Sequence, residues 1–552
     1  MPLSSDPIWY RDAVFYEVHV KSFYDSDGDG VGDFRGLAMK LDYLKDLGVD
    51  CIWLLPFYQS PLKDDGYDIS DYYSILPQYG TVEDFKHLIT EAHSRNIRII
   101  ADLVLNHVSD QHPWFVEAKS SKSSPRRDWF VWSDSDQGYR DAPIIFRDVE
   151  ISNWAWEPVS RQYYWHRFYS HQPDLNYDNP EVRDEMKRVL RYWLSMGLDG
   201  FRCDAVPYLF EREGTTCENL DETHEYFKEL RRIMDREFPG AILLAEANEW
   251  PTEAKRYFGN EDEFHMVFNF PLMPRIYLGL ASESSAPIIN IVNQTIPIPA
   301  TCDWGIFLRN HDELTLSLVT DEERDVMYRE YARNPKMRLN LGIRRRLAPM
   351  VDNDRPTIEL LHGLLFSLPG SPILYYGDEL GMGDNVFLGD RNGVRTPMQW
   401  SYDRNAGFSR ADNEQLYLPV VTSPNFHYEN INVESELRLP TSLLNWVKKM
   451  IRVRKKFSDV FGHGNMEFLE HKNRKVLAYI RRLENSGMLC IFNLSRKPTY
   501  VELDLSRFKG LRPIEAITDA KFPQITDRPY FFTLPPRAFF WFNLQLDDGE
   551  EE

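Results

Sequence analysis

Along the chain, short runs of apolar and β-branched residues alternate with longer stretches in which apolar side chains recur every three or four positions. The runs at 13–20, 51–56, 97–106, 200–206, 241–248, 266–273, 304–312 and 371–380 read as buried strands. Between them, Leu37, Leu41, Leu44 and Leu47 keep a helical period, as do Val82, Phe85, Ile89 and Ala92. At Asn179-Pro180-Glu181 a capping residue, a first-turn proline and a first-turn acid predict a helix start, and Gly197 lies past its end. Eight strands in regular alternation with helices predict a closed parallel (β/α)8 TIM barrel rather than an open sheet.

Three segments break this rhythm. Residues 107–173 follow the third strand, are rich in Trp, Tyr and short polar turns, and predict an inserted domain over the barrel mouth. Residues 320–356 follow the seventh strand and predict a charged helical excursion; both could act as a lid. From about 462 the period becomes two, with strands at 475–482, 488–493, 500–505 and 538–544 and an acidic tail after them. The division expected is a barrel of 1–106 and 174–461, an inserted domain of 107–173 and a C-terminal antiparallel β-sandwich domain of 462–552.

Composition removes several function classes. A net charge of −21 disfavours nucleic acid as a partner, because phosphate backbones call for Lys/Arg-rich surfaces. The basic run Arg344-Arg345-Arg346 is expected to be a solvated helical face. No apolar stretch is long enough for a membrane span and no signal peptide is visible, so the membrane is excluded and a cytoplasmic location expected. Five cysteines do not make a disulfide framework, and Cys51 and Cys203 sit in apolar runs as buried thiols. The 14% aromatic content suits sugar rings, but ordinary cores use the same residues.

Catalytic residues of such barrels sit at the C-terminal ends of the strands. Here the fourth strand ends in Arg202-Cys203-Asp204, the fifth in Ala245-Glu246, and the seventh in Asn310-His311-Asp312. Three carboxylates on three strand ends converge on one pocket. Two such groups about 5–5.5 Å apart are what a retaining glycosidase needs.

Together with Asp102-Leu-Val-Leu-Asn106-His107, these segments resemble, in order and spacing, the four short motifs of the α-amylase superfamily of glycoside hydrolases. The resemblance implies Asp204 as nucleophile, Glu246 as general acid/base, and Asp312 as the residue that holds ring hydroxyls. It implies that Arg202 pairs with Asp204 and keeps it ionised, whereas Glu246 needs a less polar setting to keep its proton. Tyr67, Asp68, His107 and His311 match positions that line the first glucose site. Asp64-Asp65-Gly66-Tyr67-Asp68 and the stretch from Gly389 to Trp400 resemble the subgroup acting on short α-glucosides, which implies that Asp64 and Arg395 pair and close the pocket beyond one terminal glucose. Stretches beginning at His171 (with Gln172), at Asp204 and at Asn340 are similar to members that interconvert maltose and trehalose, a likeness running from about Trp9 to Leu544.

Two metal sites are expected. Asp25, Asp27, Asp29 and Asp33 alternate with small residues as in the first part of an EF-hand loop, and with the Val31 carbonyl they offer hard oxygens for Ca2+, or Mg2+. The resemblance implies a second Ca2+ between barrel and inserted domain, held by Asn106, Asp174, the Tyr208 and Leu209 carbonyls, and Glu211. No organic cofactor is expected.

The activity implied is isomerisation of the disaccharide substrates maltose and trehalose, with minor hydrolysis. Hydrolysis alone, by an α-glucosidase or oligo-1,6-glucosidase, would use the same residues. A catalytically inactive sugar-binding protein would not need to keep Arg202, Asp204, Glu246 and Asp312 together. The sequence leaves homo-oligomerisation open; some relatives continue into a maltokinase, which makes a maltokinase a candidate partner.

Overall fold

The computed structural model describes residues 6–544; the acidic tail and the first five residues lie outside them. Eight parallel strands close a barrel: β1 (Phe15–Val18), β2 (Cys51–Leu54), β3 (Arg98–Val104), β4 (Gly200–Asp204), β5 (Ile242–Ala245), β6 (Met266–Phe268), β7 (Asp303–Phe307) and β8 (Ser371–Tyr375), with β8 returning to β1. All eight expected strands are present. Their predicted C-terminal ends run too far, because apolar residues such as Leu105 and Leu308 stay buried after the chain has left the sheet. Beyond β6 the run even enters the helix Leu272–Ala281. Gly200 opens β4 at φ +148°, and a Cβ there would lie 2.2 Å from the Ile242 carbonyl oxygen of β5.

The helices follow local rules. Asn179 caps Pro180–Leu194 by accepting from the Glu181 amide, and Thr81 and Asp84 form a reciprocal capping box on Val82–Ser94. The leucine series from Leu37 to Leu47 divides into two short helices, Phe34–Met39 and Leu41–Leu47, that bury Leu37, Leu41, Leu44 and Leu47.

After β3 the inserted domain forms a three-stranded sheet of Trp132–Ser133, Gln162–Trp165 and Trp154–Glu157 around Trp154 and Trp165. It is tied to the barrel by the bridge His107–Asp174. The excursion after β7 begins as the helix Asp321–Tyr331 with its own capping box, but its strands Arg338–Leu339 and Gly342–Ile343 then form a small sheet with Leu314–Thr315 from before the helix. The Arg344–Arg346 run therefore differs from its expected solvated helical face. Arg346 is fully buried and donates to the Tyr376 carbonyl, while Arg344 donates to the carbonyls of Leu388 and Asp390. Backbone carbonyls thus take up Arg344, whereas Arg346 keeps Nε and Nη2 buried without a hydrogen-bond partner.

The C-terminal domain is a sandwich of a five-stranded antiparallel sheet and the pair Thr499–Leu503 with Tyr530–Leu534. Alternation along Val476–Leu483 assigns the two faces: Val476, Ala478 and Ile480 fill the sandwich core, and Leu477 and Tyr479 join the barrel core. Among the described residues no helix is long and apolar enough to cross a membrane.

Candidate active site

Asp204 is the last residue of β4, Glu246 directly follows β5, and Asp312 lies in the loop after β7. The three side chains line one cavity of about 450 Å3, with Tyr67, His107, Phe146, Phe168 and Arg391 among its other walls. That volume falls within the roughly 300–1,000 Å3 of small-molecule sites.

Arg202 organises the floor. Its Nη1 lies 2.5 Å from Asp102 Oδ1 and 2.6 Å from Asp204 Oδ1, and its Nη2 lies 2.5 Å from Glu246 Oε1. One buried guanidinium thus spans the carboxyls of Asp204 and Glu246. Burial pushes Asp204 up to about 6 and Glu246 up to about 7, with Arg202 pulling each back down. Asp204 and Asp312 add their repulsion at Glu246, whose other oxygen accepts the Ala205 amide at 3.0 Å. Glu246 is thus the more readily protonated of the two, the order that an acid beside a nucleophile requires. The cause is burial near like charges, since Glu246 shares the Arg202 cation instead of sitting in an apolar setting.

Asp312 is held differently. Burial opposes its ionisation, but His311, Arg391 and Arg395 outweigh it and keep the carboxyl well below the usual range. His311 Nε2 lies 3.1 Å from Asp312 Oδ2, and Arg391 and Arg395 each lie 2.9 Å from Oδ1. The Tyr67 hydroxyl is 2.9 Å from His311 Nε2, and the two rings stack 12° from parallel. His107 lines the cavity as a neutral imidazole, its burial lowering it to about 3.

The expected pairing of Asp64 with Arg395 is not what forms. Asp64 pairs with Arg391, while Arg395 lies deeper, donates to the His311 carbonyl at 2.9 Å and pairs with Asp65 at 2.8 Å. The reason is local: Asp390 and Arg391 belong to the loop that Arg344 anchors, and Arg395 follows a single turn of helix that carries it under the pocket. Asp68 is likewise turned away from the cavity. Its carboxylate accepts from Ser60, Lys63 and Asp64 within its own loop, so it shapes the segment that presents Asp64. Gln172 stands behind Asp64, donating to Oδ2 at 2.8 Å. Arg391 and Phe146 were missed as pocket residues. Arg391 lies inside the segment read for Arg395, and only the turn geometry shows which arginine reaches Asp64; nothing in the spacing of the inserted domain marks Phe146.

At the cavity mouth the Asn340 amide donates to Asp148 Oδ2 of the inserted domain at 2.7 Å, and its side chain donates to Glu313 Oε1 at 3.0 Å. This clasp joins inserted domain, excursion and β7 loop.

Both metal sets can be compared with their chemistry. Asn106 Oδ1, Asp174 Oδ2 and Glu211 Oε1 are buried without hydrogen-bond partners, and burial, joined at Glu211 by the charge of Asp174, raises both carboxyls, Asp174 to about 8. Orphaned hard oxygens of this kind fit a Ca2+ ion. Tyr208 and Leu209 form the adjoining turn after β4. In the acidic loop, ligand oxygens of Asp25, Asp27 and Asp29 come within 4.8 Å of one another. Asp25 and Asp33 are also engaged within the protein: Asp25 accepts from the Gly28 and Gly30 amides and the Ser409 hydroxyl, and Asp33 caps the helix Phe34–Met39 through Gly36 and accepts from Ser26. The Val31 amide donates to Asp29 Oδ1 at 2.8 Å.

Comparison with known proteins identifies the family. The model of the α-amylase catalytic domain matches residues 17–341 and 343–464, and that of the maltogenic amylase C-terminal domain matches 466–541. The chain is 56% identical to a trehalose synthase/amylase of Mycolicibacterium smegmatis, over 99% of this chain and 94% of that one. It is 55% identical to a trehalose synthase of Pimelobacter sp., over 99% and 97% respectively. Among solved structures, the trehalulose synthase MutB of Pseudomonas mesoacidophila MX-45 superposes with a TM-score of 0.79 at 28% identity, covering 97% of this chain and 99% of that one. With family model, relatives and architecture in agreement, this chain belongs to the α-amylase family of glycoside hydrolases, among its members named trehalose synthases.

Proposed function

We propose that the enzyme interconverts maltose and trehalose by moving one glucosyl unit within a closed pocket. The observation that carries this reading is a nucleophile and an acid joined by one buried arginine, beneath a cavity that Asp64 and Arg391 wall on one side and the Asn340 clasp spans at its mouth.

Asp204 attacks the anomeric carbon of maltose as Glu246 gives its proton to the departing oxygen. This leaves a β-glucosyl-enzyme and a free glucose. The glucose turns within the pocket and presents its anomeric hydroxyl; Glu246, now a base, takes that proton, and an α,α-1,1 bond forms. Two inversions retain the α configuration. Confinement supplies the effective concentration by which glucose outcompetes water, and leakage yields minor hydrolysis. Asp312 and Tyr67 hold ring hydroxyls through the oxocarbenium-like transition state.

Asn106, Asp174 and Glu211 are proposed as Ca2+ ligands, with carbonyls of the Tyr208–Leu209 turn, and Asp25, Asp27 and Asp29 as a second site for Ca2+ or Mg2+. Either ion would act on stability by binding only the folded chain. The test is incubation of the purified protein with maltose and, separately, with trehalose, quantifying maltose, trehalose and glucose. Each disaccharide should yield chiefly the other. Glucose as the dominant product from both would make the protein a hydrolase.

A further inference from the structure

Behind the carboxylates of the pocket lies Glu17, a fully buried acid on β1 that the mechanism above does not use. Its Oε1 is 2.5 Å from His311 Nδ1 and accepts the His311 backbone amide at 3.1 Å; its Oε2 is buried without a partner. On the far side of the same ring, His311 Nε2 faces Asp312 Oδ2 at 3.1 Å and the Tyr67 hydroxyl at 2.9 Å.

Each ring nitrogen therefore confronts a carboxylate oxygen. A neutral imidazole carries one N–H and one lone pair, so either tautomer would turn a lone pair on a carboxylate. Only the doubly protonated ring satisfies both contacts. With Nε2–H shared between Asp312 and Tyr67, the Tyr67 hydroxyl is free to donate toward Asp102 Oδ2, 3.4 Å away.

We propose that Glu17 is a positioning residue for glucosyl transfer: with Asp312 it clamps His311 as an imidazolium at neutral pH, which fixes Asp312 and Tyr67 where they meet the sugar. His311 is then a standing cation and not a proton shuttle. The other groups facing the ring fit this state. His19, the residue after β1, is held neutral by burial, Asp102 on β3 adds negative charge, and Arg395 donates to the His311 carbonyl. On β8 and just beyond it, Tyr375 and Asp378 face Glu17. Burial alone would lower His311, but Asp312 and Glu17 together push it up to about 9.

The inference rests on the retaining reading of Asp204 but not on isomerisation, so its test uses 4-nitrophenyl α-D-glucoside. As Asp204 forms its bond to the anomeric carbon, the bond to the phenolic oxygen breaks with its electron pair. The nitrophenolate leaves without needing a proton from Glu246. The alkaline limb of kcat/KM for this substrate then reports His311. In Glu17→Gln the hydrogen bond to the ring survives but the charge is lost, so the limb should move down by at least about one pH unit, the size expected for losing an adjacent opposite charge. Glu17→Asp keeps the anion and should return the limb toward that of the parent, even if kcat/KM falls overall. A purely structural Glu17 would lower melting temperature and scale kcat/KM evenly, leaving the limb in place; that result overturns the proposal. If Glu17→Gln fails to fold, an alkaline limb in Glu17→Asp displaced as far as about one pH unit would do the same. A parent protein that does not cleave the aryl glucoside at all would instead overturn the retaining reading.

Discussion

Replacing Asn340 with glycine probes the closed pocket without touching a reacting group. Asn340 sits at φ +49°, which glycine adopts freely, so the backbone donation to Asp148 at 2.7 Å can persist. What disappears is the side-chain bond to the Glu313 carboxylate at 3.0 Å. A hydrogen bond to a charged acceptor is worth about 1.5–3 kcal/mol when well buried, and this half-buried one should contribute about 1 kcal/mol. Glycine also gives the opened loop more conformations to occupy, adding roughly 0.5 kcal/mol in the same direction. A shift of 1–1.5 kcal/mol, at about 1.4 kcal/mol per factor of ten, raises the open population about five- to tenfold. The assay is initial-rate formation of glucose and trehalose from maltose. The glucose-to-trehalose ratio should rise by about that factor, while cleavage of an aryl α-glucoside changes by no more than about twofold, since the first step is untouched. An unchanged ratio, or parallel loss of both reactions, would refute the idea that this clasp retains the glucose.

Three further outcomes follow from the same geometry. Asp204→Asn should abolish isomerisation and hydrolysis together, by at least about 10^4-fold in turnover, while circular dichroism and melting show an intact fold; turnover within tenfold of the parent would remove Asp204 from the nucleophile's role. For maltose, kcat/KM should fall below about pH 6, where Asp204 gains a proton, and above about pH 7, where Glu246 loses the proton it must donate, so a profile that stays flat on either side of that range would contradict the assignment. Chelation should lower the melting temperature of the parent, and lower it less in Asp27→Asn/Asp29→Asn; equal shifts in both would exclude the acidic loop as a metal site.

The barrel was legible because its strands are buried on both faces and stand out as apolar runs, and the three pocket carboxyls because they lie at the ends of those runs. Legibility failed where geometry depends on a turn rather than on a period. Asp64 and Asp65 are neighbours, as Arg391 and Arg395 nearly are, and spacing does not say which partners meet. The strand Tyr530–Leu534 went unread, although it alternates buried and exposed residues; its exposed Phe531 blurs the pattern. The strands Arg338–Leu339 and Gly342–Ile343, after the helix Asp321–Tyr331, were hidden by a charge-rich sequence whose Arg344 bonds to crossing backbone. Glu17 sits in an apolar run, where sequence alone does not distinguish a buried acid with a partner from an interruption of the strand.

The central claim is that the glucose released in the first step is the acceptor in the second. It is tested most directly by converting unlabelled maltose in the presence of excess isotopically labelled glucose and measuring the label in newly formed trehalose. A glucose retained by the pocket predicts trehalose with little label, however much labelled glucose surrounds the enzyme. Trehalose whose label approaches that of the free glucose would show that the acceptor exchanges with solvent, and would contradict transfer within a closed pocket.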